Sequence, residues 1–127
     1  MAYQHVRTFL RYIASIYPTK YGIMLNEFGF PTFDESSMSL SQAQAELSQS
    51  TFYVSFLNEM LKAINEDGVT VAGAIGWAFV DNWEWGEYDA RYGVQAYNST
   101  TLERSYKRSI FDFVDFIVAH GGNWWGM

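Results

Sequence analysis

The sequence predicts a protein of the α/β class, in which amphipathic helices alternate with short buried strands. Two observations favour this class. Apolar residues recur at helical spacing in several segments, and two brief apolar runs, residues 21–25 and 69–79, lie between these segments. Strands covered on both faces in a parallel sheet show such continuous apolar runs instead of alternation. The order strand, helix, strand therefore predicts a βαβ unit.

The first predicted helix covers residues 4–17. Its apolar face is formed by Val6, Phe9, Leu10, Ile13 and Tyr17. Pro18 ends the pattern, because proline lacks the backbone N–H that a continuing helix needs. The strand predicted at residues 21–25 comes next, and Glu27 follows it.

A second helix and a second strand complete the βαβ unit. After a predicted loop at residues 30–40, the helix carries the apolar residues Tyr53, Leu57, Met60, Leu61 and Ile64 and ends at Asp67-Gly68. The second strand spans residues 69–79. Since α/β sheets bind ligands at the carboxyl ends of their strands, the residues after both strands are expected to belong to one site.

The C-terminal part of the chain predicts a hairpin and a helix. A strand at residues 92–97 turns at residues 98–101. The final helix carries Ile110, Phe113, Val114 and Ile117 and ends at Gly121-Gly122. The tail, residues 123–127, is expected to pack against the rest of the chain, because large apolar side chains tend to be buried.

Composition excludes several functional classes. Of the 127 residues, 49% are hydrophobic and 17% charged, which argues against disorder. The net charge of −6 and the scattered eight Lys and Arg disfavour a nucleic-acid partner. There is no cysteine, and the two histidines, His5 and His120, are far apart in sequence, so neither a metal ion nor another cofactor is expected.

Neither a signal peptide nor a membrane span is expected. No apolar region follows Met1, and the longest apolar stretch, residues 69–80, is shorter than the roughly 18 residues of a membrane span. The compartment stays open, with the cytoplasm slightly favoured.

The second strand ends in the most informative segment, where aromatic residues alternate with acids and an amide. Trp77 precedes Asp81-Asn82-Trp83-Glu84-Trp85. A sugar presents C–H faces, which stack on indole rings, and hydroxyl groups, which carboxylates bind. Trp77, Glu84 and Trp85 are therefore candidate sugar-binding residues, with core packing as the alternative for both tryptophans. Glu27 offers a carboxylate that can act as nucleophile, acid, base or hydrogen-bond acceptor.

These motifs resemble those of the family 1 glycoside hydrolases, the β-glucosidase family of the (β/α)8 barrel clan, and look closest to fungal members. The run Asp81-Asn82-Trp83-Glu84-Trp85 is similar to the family's Asp-Asn-Phe-Glu-Trp after strand eight. Arg91-Tyr92-Gly93-Val94 resembles its Arg-Phe-Gly-Ile/Leu, and Glu103-Arg104-Ser105-Tyr106-Lys107-Arg108-Ser109 resembles its Lys-Arg-x-Pro-Lys-x-Ser. The implied fold is the C-terminal fragment of a (β/α)8 TIM barrel, in which residues 1–127 supply the last two strands and flanking helices and no complete domain.

The resemblance implies a role for each candidate residue. Glu27 falls on the nucleophile of the family's Thr-Glu-Asn-Gly motif, which here has the sequence Asn-Glu-Phe-Gly. Glu84 is implied to accept hydrogen bonds from the outer sugar hydroxyls, Trp85 to donate its indole N–H, and Trp77 to stack beneath the ring. The implied substrate is a β-glucoside or a short β-linked oligosaccharide, hydrolysed with retention by two carboxylates.

The second carboxylate of that mechanism is not found in the chain. In the family it belongs to an Asn-Glu-Pro motif, and the Asn-Glu pairs here, Asn26-Glu27, Asn58-Glu59 and Asn65-Glu66, have no proline after them. A (β/α)8 barrel also needs about 250 residues. We therefore expect the chain to act as part of a longer enzyme, with the missing N-terminal part of the barrel as its partner, and to be inactive when isolated.

Two alternatives stay open. The first is a catalytically inactive truncated product that retains part of a sugar-binding site. The second is a cellulase-type hydrolase of the same barrel clan, which the sequence Asn-Glu-Phe-Gly at residues 26–29 favours and the run at residues 81–85 opposes.

Overall fold

The computed structural model of the protein describes residues 3–121. In chain order its elements are a 3-10 turn (Tyr3–His5), α1 (Val6–Ile16), β1 (Ile23–Phe28), a 3-10 turn (Glu35–Ser37), α2 (Leu40–Ala45), α3 (Ser48–Asn65), β2 (Val71–Gly76), β3 (Gln95–Tyr97), β4 (Arg104–Tyr106) and α4 (Arg108–Ala119). They form two compact units. Unit 1 contains the chain up to Phe28 and Ser55–Trp77, and unit 2 contains Gly29–Val54 and the chain from Ala78 onward. Across residues 3–121, no helix combines the length and the apolar character needed to cross a bilayer.

The core of unit 1 lies between α1, α3 and the two parallel strands. Leu10 of α1, Ala63 of α3 and Val69 are buried together, and Ile23 and Leu25 of β1 pack against them. Because α1 is amphipathic, one of its faces covers the strands. Of the predicted apolar face, Val6 and Leu10 belong to this core, whereas Phe9 and Tyr17 are exposed, so that part of the prediction is wrong.

An ion pair ties α1 to the end of α3. The guanidinium of Arg7 donates from Nε and Nη2 to the two carboxylate oxygens of Asp67, at 2.6 and 2.8 Å. Its Nη1 also lies 2.7 Å from Glu66 Oε2. The hydrogen bonds from Arg7 lower the pKa of Asp67. This bidentate contact fixes α1 against the end of α3 more firmly than a single hydrogen bond does.

Strands β1 and β2 pair in parallel. The Cα register pairs Leu25 with Ala74 and Phe28 with Gly76. Strand β1 therefore advances by three residues where β2 advances by two, which defines a β-bulge in β1. The extra residue falls in the dipeptide Asn26-Glu27.

Unit 2 combines an antiparallel hairpin with helices. Strand β3 pairs with β4 over three residues on each side. The buried ring of Tyr53, on α3, contacts Phe52 at 6.0 Å and Phe113 of α4 at 5.5 Å between ring centroids. Burial raises the pKa of the Tyr53 hydroxyl. These aromatic contacts join α4 to the first part of α3.

The predicted order of helix, strand, helix, strand, hairpin and helix is confirmed, but several boundaries are wrong. Strand β1 extends through Phe28, so Glu27 lies inside the strand and not after it. Strand β2 ends at Gly76, before its predicted end at Phe79. The final helix ends where predicted, with Gly121 at a φ of 86°. Gly122 and the predicted tail at residues 123–127 lie outside the described residues.

The predicted loop at residues 30–40 contains a 3-10 turn and leads directly into a helix that was not predicted. Helix α2 starts with a capping box, in which the Ser39 hydroxyl accepts from the Gln42 backbone N–H and the Gln42 side chain accepts from the Ser39 backbone N–H. The spacing Ser-x-x-Gln is a known start signal for helices, so this signal was present in the sequence.

Replacing Leu10 by alanine is expected to lower the free energy of unfolding by about 2–5 kcal/mol, because it opens a cavity in the core of unit 1. Leu10 is 1% exposed, whereas the neighbouring Phe9 on the same helix is 61% exposed. Phe9→Ala is the matched control and should cost less than about 1 kcal/mol. Urea denaturation followed by circular dichroism compares them, and equal losses would contradict the packing described.

Candidate functional site

Glu27 faces solvent because of the β-bulge in β1. In a regular strand side chains alternate between the faces, so Glu27 would share the face of Leu25, which packs on the core of unit 1. The extra residue breaks this alternation, and Asn26 and Glu27 are both exposed. Phe28 then returns to the buried side, where its ring stacks on Phe56 of α3 at 4.5 Å. The bulge therefore presents the Glu27 carboxylate away from the core.

Trp77 follows β2 directly and lies beside the end of β1. Its backbone N–H donates a hydrogen bond to the carbonyl oxygen of Phe28 at 2.8 Å. Its side chain is half-buried. The parallel pairing thus brings Glu27 and Trp77 together at the carboxyl ends of neighbouring strands.

In unit 2, the carboxylate of Asp81 is buried at the start of the segment that carries the other two candidates, Glu84 and Trp85. Its Oδ1 accepts a hydrogen bond from the backbone N–H of Gly93 at 2.8 Å and another from Lys107 Nζ at 3.0 Å. The side chains of Asp81 and Lys107 are only 1% and 3% exposed. Asp81 therefore supports the backbone of this segment.

Two further charges complete this cluster, the buried Glu35 and the partly exposed Arg91. Lys107 Nζ lies 2.6 Å from Glu35 Oε1, and Arg91 Nη1 lies 3.7 Å from Asp81 Oδ2. Two carboxylates and two cations thus balance. Burial raises the pKa of Glu35, and the hydrogen bond from Lys107 opposes this rise. Such a cluster is stable only while each buried charge keeps a partner.

Glu84 and Trp85 lie in a tight turn. The Glu84 backbone N–H donates to the Glu87 carbonyl at 2.9 Å, and the Glu87 N–H donates to the Glu84 carbonyl at 3.0 Å. The two central residues, Trp85 and Gly86, have φ of 49° and 112°. Positive φ at both positions is typical of type I′ turns, and it is strained for a residue as large as tryptophan.

This turn gives the two candidates opposite environments. Glu84 is 8% exposed, whereas Trp85 is 102% exposed. On either side of the turn, Trp83 and Tyr88 contact each other edge to face, with ring centroids 5.3 Å apart. This aromatic contact stabilises the turn from outside the hydrogen-bonded pair.

Sequence reasoning missed two buried residues of unit 2, Glu35 and Gln49. The Gln49 side chain donates from Nε2 to the carbonyl oxygens of Phe30, Tyr92 and Gly93 and accepts a 2.5 Å hydrogen bond from Ser109 Oγ. Neither residue lies in a recognisable motif, because its partners are distant in sequence. Lys107 and Ser109 do belong to a family-like segment, which is the signal that pointed to this region. Among residues 3–121, no group of three or more acids and histidines is placed to hold a metal ion.

Comparisons with known proteins link the chain to glycosidases. The family model described as Glycosyl hydrolase family 1 matches residues 1–122. Beta-glucosidase 1B of Phanerodontia chrysosporium is 36% identical over 88 residues, which are 68% of this chain and 16% of that protein. Beta-glucosidase 31 of Arabidopsis thaliana is 30% identical over 120 residues, which are 91% of this chain and 22% of that protein. The chain therefore spans less than a quarter of either relative.

Solved structures show the same relationship. Beta-glucosidase 2 from the fungus Trichoderma reesei, in complex with Tris, superposes with a TM-score of 0.86 at 25% identity and is matched over 93% of this chain and 26% of its own. A GH1 beta-glucosidase from Humicola insolens, in complex with glucose, gives a TM-score of 0.83 at 25% identity, over 91% and 24%. The predicted fold class, a portion of a TIM barrel, is confirmed, and the two parallel strands by themselves do not close a barrel.

Gly93→Ala is expected to lower the free energy of unfolding by about 3 kcal/mol or more, because a Cβ at residue 93 would overlap the backbone N of Asp81. Gly73→Ala is the matched control, since its Cβ would meet only the flexible Met24 side chain, with Sδ at 3.0 Å. The control should cost less than about 1.5 kcal/mol. Chemical denaturation measures both, and a mild effect at residue 93 would contradict the close approach at Asp81.

Proposed function

Because the chain belongs to glycosyl hydrolase family 1, we propose that it is part of an enzyme that hydrolyses the O-glycosidic bond of β-glucosides. Relatives named as beta-glucosidases support this substrate class, and so does the glucose bound to the Humicola insolens protein. The observation that carries the proposal is the bulge of β1, which exposes Glu27 at a strand end beside Trp77.

The proposed mechanism is retaining hydrolysis. A carboxylate oxygen of Glu27 forms a bond to the anomeric carbon while the bond from that carbon to the leaving oxygen breaks. A second carboxylic acid, about 5 Å away in enzymes of this type, protonates the leaving oxygen and then activates the water that releases the sugar.

The second acid has to come from sequence outside this chain. The chain contains two other Asn-Glu pairs, and their glutamates have other partners in the structure. Glu59, on α3, pairs with Lys62 at 2.5 Å, and Glu66, just after α3, pairs with Arg7 at 2.7 Å. Neither is followed by proline. The longer relatives, of which this chain spans less than a quarter, provide room for the missing acid.

The other candidates serve sugar binding in this proposal. Trp77 stacks on the C–H face of the ring, Glu84 accepts hydrogen bonds from sugar hydroxyls, and Trp85 donates its indole N–H. The type I′ turn supports the last two roles, because it fixes a carboxylate and an indole in consecutive positions. Strain at a bulky residue is a frequent mark of functional sites.

An inactive truncated product with a partial sugar site is the second candidate, and the lack of Asn-Glu-Pro in the chain is the observation that favours it. A cellulase-type specificity rests on Asn-Glu-Phe-Gly alone. The matches to proteins named beta-glucosidases count against it.

In the full-length enzyme, Glu27→Gln is expected to reduce kcat by about 10⁴-fold or more while leaving sugar binding nearly unchanged, because the amide cannot act as nucleophile. Steady-state hydrolysis of an aryl β-glucoside and calorimetric titration with glucose measure the two effects. Glu59→Gln, which alters only the surface pair with Lys62, is the control and should keep wild-type rates. Retained turnover in Glu27→Gln would show that another group is the nucleophile.

The isolated chain is expected to hydrolyse aryl β-glucosides no faster than buffer does, because it lacks the acid that protonates the leaving oxygen. The assay compares this chain with the full-length enzyme at equal molar concentration. Turnover by the isolated chain that disappears in Glu27→Gln would mean that a residue of this chain replaces the missing acid.

A further inference from the structure

We propose that Lys107 is a positioning residue for sugar recognition, because it holds, through Asp81, the base of the loop formed by residues 82–92. This loop carries Glu84 and Trp85, so the inference rests on the proposed function for its effect on sugars. That Lys107 holds the loop, however, is inferred only from the distances and hydrogen bonds of the structure.

Asp81 joins the two ends of this loop. Its backbone N–H donates to the Gln95 carbonyl at 2.9 Å, while its Oδ1 accepts from the backbone N–H of Gly93 at 2.8 Å. Residue 81 immediately precedes the loop and residue 93 immediately follows it. One side chain therefore closes the loop at its base.

The segments on either side of the loop, residues 78–81 and 92–94, are packed too closely to shift independently. Ala78 N–H donates to the Tyr92 carbonyl at 3.1 Å, and Val94 N–H donates to the Ala78 carbonyl at 2.8 Å. At Gly93 there is no space for even a methyl group against the backbone of Asp81. The position of Asp81 is thus coupled to that of residues 92–94.

Lys107 holds this arrangement in place through two hydrogen bonds. Its Nζ donates to the same Asp81 Oδ1 at 3.0 Å, and its backbone N–H donates to the Val94 carbonyl at 2.9 Å. Without Lys107, Asp81 keeps only the partly exposed Arg91 as a cationic partner, at 3.7 Å, and a buried carboxylate that loses its close cation is destabilised. Glu35 Oε1, at 2.6 Å, is the second carboxylate partner of the same ammonium.

A shift of Asp81 also shifts the proposed sugar-binding residues, because they are close to it along the chain. Glu84 is three residues further along the chain, a distance of at most about 11 Å when fully extended. The paired hydrogen bonds between Glu84 and Glu87 make the turn a rigid end to this short segment. Loosening the base therefore moves Glu84 and Trp85 together.

The test uses the full-length enzyme with Lys107→Met, and with Lys62→Met as a matched control that removes only an exposed pair on α3. Lys107→Gln, which keeps a hydrogen-bond donor but no charge, replaces Lys107→Met if that variant does not fold. Two measurements are made on each protein. Hydrogen exchange reports the opening of amides in residues 82–92, and kinetics with aryl β-glucosides and β-galactosides report KM, kcat and the selectivity between the two sugars.

The expected result for the Lys107 variant is amide exchange in the loop that is about 10-fold faster, with KM for the glucoside raised about 10-fold and kcat changed by less than about 3-fold. Selectivity between glucoside and galactoside should fall, and the control should match the wild type. Unchanged exchange in the loop would overturn the proposal. Faster exchange with unchanged KM and selectivity would also overturn it, by leaving Lys107 a purely structural role. A wild-type enzyme without glucosidase turnover would instead refute the proposed function. The exchange data would then test only whether Lys107 holds the base of the loop.

Discussion

Unit 2 depends on the buried carboxylate of Asp81, because a single oxygen of this side chain connects three separate segments. It accepts one hydrogen bond from Gly93, which follows the loop of residues 82–92, and one from Lys107, at the start of α4. The three family-like motifs of the sequence contribute Asp81, Gly93 and Lys107 respectively. The three motifs, which are separate in sequence, therefore meet in the structure at one junction formed by Asp81, Gly93 and Lys107.

This junction explains why these residue types occur together. A buried Asp requires a cation, and Lys107 provides it. Lys107 in turn contacts Glu35, and the charge of that second carboxylate is balanced by Arg91 near Asp81. Removing Lys107 would leave Glu35 without this cation and Asp81 with Arg91 at 3.7 Å.

Unit 1 exposes an acid, Glu27, directly before the buried Phe28. Its β-bulge inserts one residue at Asn26-Glu27, so that Leu25 and Phe28 both face the helices while Glu27 does not. Unit 2 also places its candidate residues on an irregular backbone, the turn with positive φ at Trp85. In both units the backbone departs from regular geometry where the proposed chemistry lies, which is where such departures usually concentrate.

The sequence by itself determined the α/β class, the order of the elements and the family, because these depend on local periodicity and on short motifs. It did not reveal the end of β1, the bulge, or the contacts of Glu35 and Gln49. A strand ends where its partner stops pairing, and a buried charge finds its partner across dozens of residues. Those features were decided only by the tertiary structure, since hydrogen-bond register and charge pairing arise between segments that are distant in the chain.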